Sequence, residues 1–305
     1  PTANDMANQV MLGINQCAAL NGVALVALAL HASENKALSK ADLEAQLDFM
    51  LDIQRNAPFS DQMTMPTESG AEILAHVISL NKVTVSEDSF GSIISLDSSA
   101  SLEMIYYRNN ILHTYALIAL VCKLLTNNSK ITHEQLIKQV SSILGCLKDD
   151  LFLWQQADQI STQVEQALNH LEANGIAKQS KAHFWSLTEN TEQLSKVNLL
   201  AECMDESLQR LTIISSLATR LAPVTKRDLE VKVVAIAKRL SVLNKITAPE
   251  FIDKKAQATL ITTMRSLGYL EINDDGLLVA TSAMSDFKST VTNLVSIEVL
   301  QSIAR

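Results

Sequence analysis

Side chains able to do chemistry are present, but they are scattered. The six histidines are His31, His76, His113, His133, His170 and His183, and none has an aspartate five positions on. The base–carboxylate pair of an HxxxxD block is therefore missing, and so are GxSxG, HExxH, P-loop and GxGxxG patterns. General-base catalysis needs a proton acceptor within reach of the substrate hydroxyl, and no such group is predicted here. The cysteines stand at 17, 122, 146 and 203, with no CxxC and no close histidine. Reduced, buried thiols of a cytosolic chain are expected, with no metal site and no cofactor.

Polar groups concentrate in two places. The first is a helix predicted over 102–125. Its second half is almost wholly apolar, while its first half carries Tyr106, Tyr107, Arg108, Asn109, Asn110 and His113. A helix this apolar is buried on most of its circumference, and burying a guanidinium and two carboxamides is costly unless each finds a partner. Two readings stay open, a satisfied polar cluster between helices or a docking surface for something outside the chain. The second place is 207–269. It holds eleven Lys and Arg against four Asp and Glu, a local charge of +7 in a chain of −8, which leaves −15 for the remainder. Arg227, Lys238, Arg239 and Lys245 are the candidate contacts for an anionic surface, either a phospholipid head-group layer or an acidic carrier protein. The alternative is a helix over 226–243 buried between two neighbours, with its charges at the edges.

Both stretches resemble a known family. Tyr106-Tyr107-Arg108-Asn109-Asn110-Ile111-Leu112-His113 is similar to the YYRNN(I/L)LH signature of bacterial glycerol-3-phosphate acyltransferases. Residues 237–244 and 247–254, AKRLSVLN and TAPEFIDK, resemble that family's QRLSVLHGINAPEFFDK, departing at Asn244-Lys245 and Ile252. Ile14-Asn15-Gln16-Cys17-Ala18-Ala19 and Val26-Ala27-Leu28-Ala29-Leu30 resemble the segment that follows the family's catalytic domain. The resemblance implies the C-terminal helical region of such an enzyme, with the HxxxxD, Gly-Arg and FPEGTRS-like blocks lying upstream. It further implies a parent that acylates glycerol 3-phosphate from acyl carrier protein or acyl-CoA, peripheral on the cytoplasmic face of the inner membrane. The implied partner is the parent's own catalytic domain. Pro1 stands where an initiating Met would, and a longer parent chain is expected.

The elements that must position these groups follow from pattern. A chain of 305 residues allows about two domains. Apolar residues at 47%, with eight Gly and five Pro, favour packed helices. The longest apolar runs, 23–30 and 116–122, are too short to span a membrane, no signal peptide is visible, and a soluble fragment is expected. Leu38-Ser39…Asp42, Ile131-Thr132…Gln135 and Val224-Thr225…Asp228 recur 93 residues apart as helix-start capping boxes. Asn81-Lys82, Asn174-Gly175 and Leu267-Gly268 recur at the same offset as helix ends.

The expected fold is mainly α with short β-hairpins. Three consecutive winged-helix-like units of about 93 residues pack as a helical array, over 1–100, 101–190 and 191–305. Each unit opens with a long helix (5–32, 102–126, 194–221), followed by a capped helix (40–55, 133–147, 226–243), a third helix (68–80, 159–174, 249–267) and a hairpin. A last helix over 284–304 closes the array. Nucleic-acid binding is not expected, because the third helices of the first two units carry no Lys or Arg and the chain is acidic. The alternative to an acyltransferase region is a free-standing winged-helix protein–protein scaffold.

Overall fold

The computed structural model describes residues 2–304, the side chains of Asn4 and Ser98 excepted. In chain order the elements are α1 (Ala3–Gln16), α2 (Gly22–Ala32), β1 (Ala37–Ser39), α3 (Lys40–Asn56), α4 (Gly70–Ser79), β2 (Thr84–Asp88), β3 (Gly91–Ser95) and α5 (Ser98–Asn127). Then come β4 (Ile131–Thr132), α6 (His133–Leu147), α7 (Ala157–Ala173), β5 (Ala177–Gln179), β6 (Phe184–Leu187), α8 (Thr191–Glu202) and α9 (Asp205–Leu221). The chain ends with α10 (Lys226–Leu243), α11 (Pro249–Ile252), α12 (Lys254–Ser266), β7 (Leu270–Ile272), β8 (Leu278–Ala280), α13 (Ser282–Thr292) and α14 (Ile297–Ala304). It is mainly helical, with small antiparallel sheets.

The three predicted helix starts are capped as their sequences require. The hydroxyls of Ser39, Thr132 and Thr225 accept from the backbone N–H of Asp42, Gln135 and Asp228 at 3.1, 3.1 and 3.0 Å. Each bond satisfies one amide that the first turn leaves free. The helix ends also share one geometry. Asn81, Gly175 and Gly268 take φ of 54, 66 and 78°. The residue after each donates its N–H back to Val77, Leu171 or Met264, the closure of a Schellman motif. Each strand that precedes a capped helix pairs with the second strand of a following hairpin. β1 pairs with β3 and β4 with β6, while Val224 makes a single bridge to Leu278.

Four predicted helices are interrupted, each for a local reason. The segment 5–32 breaks at 17–21. There Leu20 N–H donates to Thr64 and Thr64 N–H to Ala18, and the Asn21 side chain then starts α2 by accepting from Ala24 N–H at 2.9 Å. The segment 194–221 breaks before Asp205 and Glu206, acids suited to the positive end of α9. Asp253 interrupts 249–267 by capping α12, and 284–304 divides between α13 and α14. The first hairpin turns at Ser89-Phe90, and Gly91 opens β3.

The chain forms two compact units. One takes the chain up to Val140 together with Trp154–Cys203; the other takes Ser141–Leu153 and everything from Met204 on. In the first, α2 packs against α5, α4 and α3, and α5 also packs against α8 and α7. Leu25, Val26, Leu28 and Leu30 are fully buried, each contributing about 1.5–3 kcal/mol relative to exposure. In the second, α9 is the central helix and packs against α13, α10, α12 and α14. Cys122 and Cys146 are buried as expected, but Cys17 is exposed and Cys203 half-buried. Among the described residues no helix is long and apolar enough to cross a membrane.

Candidate functional site

The polar start of α5 belongs to the first unit. Asp97 begins the helix by accepting from Ser99 and Ala100 N–H at 2.9 and 2.7 Å. Rotation at 3.6 residues per turn then sorts the cluster. Arg108 turns inward and is buried, and its Nε donates to Asn109 Oδ1 at 3.0 Å. Tyr107 is half-buried, with the Lys82 ammonium 5.8 Å from its ring centre, within cation–π range. Lys82 also forms an ion pair with Glu103. Tyr106, at 69% exposure, faces solvent with Asn109, Asn110 and Leu102. The predicted cluster is thus divided between an inward arginine and an outward row of an aromatic ring and two amides.

Two histidines, His31 half-buried and His113 buried, flank that division. His31, on α2, lies near Arg108 and Lys36; burial first, then these two charges, push its imidazole down to about 3. Lys36 Nζ donates to Ser101 Oγ at 2.6 Å. His113 is buried, with Nε2 3.2 Å from the carbonyl oxygen of Asn15, and burial lowers it to about 4. Its ring meets Phe59 edge-on at 5.3 Å, and Phe59 meets Trp154 at 4.8 Å. Phe59 and Trp154 line a cleft of about 420 Å³ with Gln16, Asp61, Gln62 and Asp158. Sequence reasoning missed this aromatic chain, because no spacing pattern links residues so far apart along the chain.

The basic residues lie in the second unit. Arg227, Lys238, Arg239 and Lys245 are all exposed. Helix α10 buries Leu229, Val233, Ala237 and Leu240, but Val231, Val242 and Leu243 stand at 53, 79 and 58% exposure. Of the two readings of this helix, burial between two neighbours does not hold, because its far side meets solvent. Leu243, in the last turn after buried Leu240, lies outside the covered face. Lys245 has φ of 53°, at a position where the resembling family prefers Gly, the residue that adopts this conformation most freely.

His170 contacts Asp52 at 2.9 Å, His133 and His183 line a cleft with Glu134 and Glu165, and no three His, Cys, Asp or Glu side chains converge as metal ligands among the described residues. The comparison with known proteins decides the family. The model of the glycerol-3-phosphate acyltransferase C-terminal region matches residues 1–273. The chain belongs to this family. It is similar to glycerol-3-phosphate acyltransferases of Colwellia psychrerythraea, Aeromonas hydrophila and Shewanella loihica, at 62, 37 and 34% identity. These alignments cover 100, 89 and 97% of this chain but 38, 33 and 36% of the relatives. The chain thus spans little more than a third of their length. The family's C-terminal region includes both the polar start of α5 and the α10–α12 stretch.

Proposed function

We propose that this chain is the non-catalytic scaffold of an enzyme that transfers a fatty acyl group from acyl carrier protein or acyl-CoA to glycerol 3-phosphate. The product is lysophosphatidic acid, the entry to phospholipid synthesis, and the parent sits peripherally on the cytoplasmic face of the inner membrane. The observation that carries this reading is the match of the whole chain to 38% of a glycerol-3-phosphate acyltransferase, while no histidine has the aspartate an HxxxxD pair needs. The scaffold's partner is the catalytic domain that accounts for the rest of such a relative. The exposed row Leu102, Tyr106 and Asn110 is suited to receive it. So is the ridge of Met6, Val10 and Ile14 along α1, exposed at 60, 60 and 57%, since apolar side chains in line mark an association surface.

The scaffold is built from three winged-helix-like units over 1–100, 101–190 and 191–305. Support for this comes from the recurring Ser39, Thr132 and Thr225 caps and the left-handed ends at Asn81, Gly175 and Gly268. The hairpins after α4, α7 and α12 complete the pattern. A repeat of pattern need not be a unit of packing, and here the segment 141–153 of the second repeat packs with the third.

The test is direct. The 305-residue chain, incubated with acyl-CoA and glycerol 3-phosphate, releases no thiol above background. The remaining part of the C. psychrerythraea relative, made separately, gains turnover when the chain is added. No gain on addition would remove the scaffold role. Turnover by the chain alone, abolished by a single His or Asp substitution, would overturn the non-catalytic reading.

A further inference from the structure

The solvent side of α10 combines exposed aliphatic side chains with exposed bases. At 100° per residue, Arg227, Val231, Ala235, Lys238 and Val242 fall within one quarter of the helix circumference. Arg239, Lys232 and Leu243 border them, and every one of these residues is exposed. Among the described residues no ion pair engages Arg227, Lys238, Arg239 or Lys245, although Lys226 and Lys254 nearby reach Glu230 at 3.9 and 4.0 Å. The acid on this side, Asp228, is engaged by Thr225 at the helix start. The short helix α11, packed beside α10, adds exposed Ile252 next to Lys254 and Lys255.

We propose that this face of α10 lies on the surface of a bilayer containing anionic phospholipids. The exposed valines and Leu243 enter the head-group layer while the arginines and lysines meet phosphates. Interleaved bases and aliphatic side chains on a convex helix fit a lipid interface, where one side chain length separates charge from hydrocarbon. An acidic protein would satisfy the bases but would leave Val242, at 79% exposure, without a reason to face outward. The inference deepens the peripheral membrane placement proposed above and rests on the exposed face of α10, which flotation without substrates tests apart from acyl transfer.

Vesicle flotation of the 305-residue chain tests it, with no acyl donor or glycerol 3-phosphate present. The chain should float with vesicles of phosphatidylcholine and phosphatidylglycerol and stay behind with pure phosphatidylcholine. Each base on the face should contribute about fivefold to partitioning. The pair Lys238→Glu and Arg239→Glu should therefore lower binding by more than an order of magnitude. The charge-neutral pair Val242→Ser and Leu243→Ser should lower it about tenfold and remove what binding survives high salt. Lys178→Glu, an exposed charge reversal in β5, should change little. Thermal melting of each variant checks folding, and all these positions are exposed. Three results would overturn the proposal: no binding to the anionic vesicles, equal loss with Lys178→Glu, or loss with the charge reversals but none with the serine pair. The last would assign the face to a purely charged partner such as an acidic protein.

Discussion

Arg210 and Asp150 meet as a bidentate pair, Nη1 to Oδ2 at 2.7 Å and Nη2 to Oδ1 at 3.0 Å. Their side chains are only 3 and 13% exposed. The pair joins α9 to the segment after α6 inside the second unit. Removing one partner strands a charge in a dry site, which costs about 3–5 kcal/mol. Arg210→Met and Asp150→Ala should each lower the urea midpoint by a corresponding amount. The double variant should recover part of the loss, because no charge is then left alone. Additive losses would mean that the pair is not coupled.

His31, half-buried, and His113, buried, should make the first unit sensitive to acid. His31 and His113 have folded values of about 3 and 4, below the unfolded 6.5. Below pH 6.5 the unfolded chain therefore binds protons that the folded chain does not, and stability falls as pH falls. His113 contributes to the slope from 6.5 down to about 4, and His31 down to about 3. Urea titrations at a series of pH values should show this decline, and His113→Leu should make it shallower between pH 6.5 and 4. An unchanged slope in that variant would assign the acid sensitivity to other groups.

The helix starts were readable because a cap is written in four consecutive residues. Ser39, Thr132 and Thr225 needed nothing from elsewhere in the chain. The helix breaks were harder to see. That at 17–21 depends on Thr64 reaching back to Ala18 and Leu20, a partner more than forty positions away. The polar cluster of α5 was legible as a group, but not its division, with Arg108 turned inward and Tyr106 outward, and the stacking of His113, Phe59 and Trp154 had no sequence signal. The basic residues of 207–269 were legible as a charge excess. Which side of α10 they occupied depended on how much of that helix its neighbours cover.

Gly70 shows another feature hidden from sequence. It opens α4, and a Cβ there would stand 2.3 Å from the backbone oxygen of Glu44. Its N–H donates to Asp48 Oδ1 at 2.6 Å, so α3 and α4 approach closely at this point. Helix propensity alone favours alanine by about 1 kcal/mol. Here the contact is with backbone that cannot step aside, and overpacking costs about 1–3 kcal/mol. Gly70→Ala should therefore lower the melting temperature, while Gly145→Ala, whose Cβ would meet only Leu267 Cδ1 at 3.7 Å, should not lower it. A stabilised Gly70→Ala variant would mean that α4 can shift away from α3.

The division of the α5 cluster makes the docking role separable from the packing role. Arg108 is buried and bonded within the chain, so Arg108→Ala should lower the melting temperature of the 305-residue chain itself. Tyr106 and Asn110 face solvent, so Tyr106→Ala and Asn110→Ala should leave that temperature within about 1–2 °C, as surface substitutions do. In an intact acyltransferase containing this region, the same two substitutions should lower activity severalfold if the exposed row receives the catalytic domain. Burying Tyr106, 69% exposed here, would supply aromatic contact area of the kind that anchors interfaces. Full activity with both substitutions would remove the row from the interface and leave the ridge of Met6, Val10 and Ile14 as the surface to examine. Lost activity together with a lowered melting temperature of the isolated chain would instead mean that Tyr106 and Asn110 support the fold of α5.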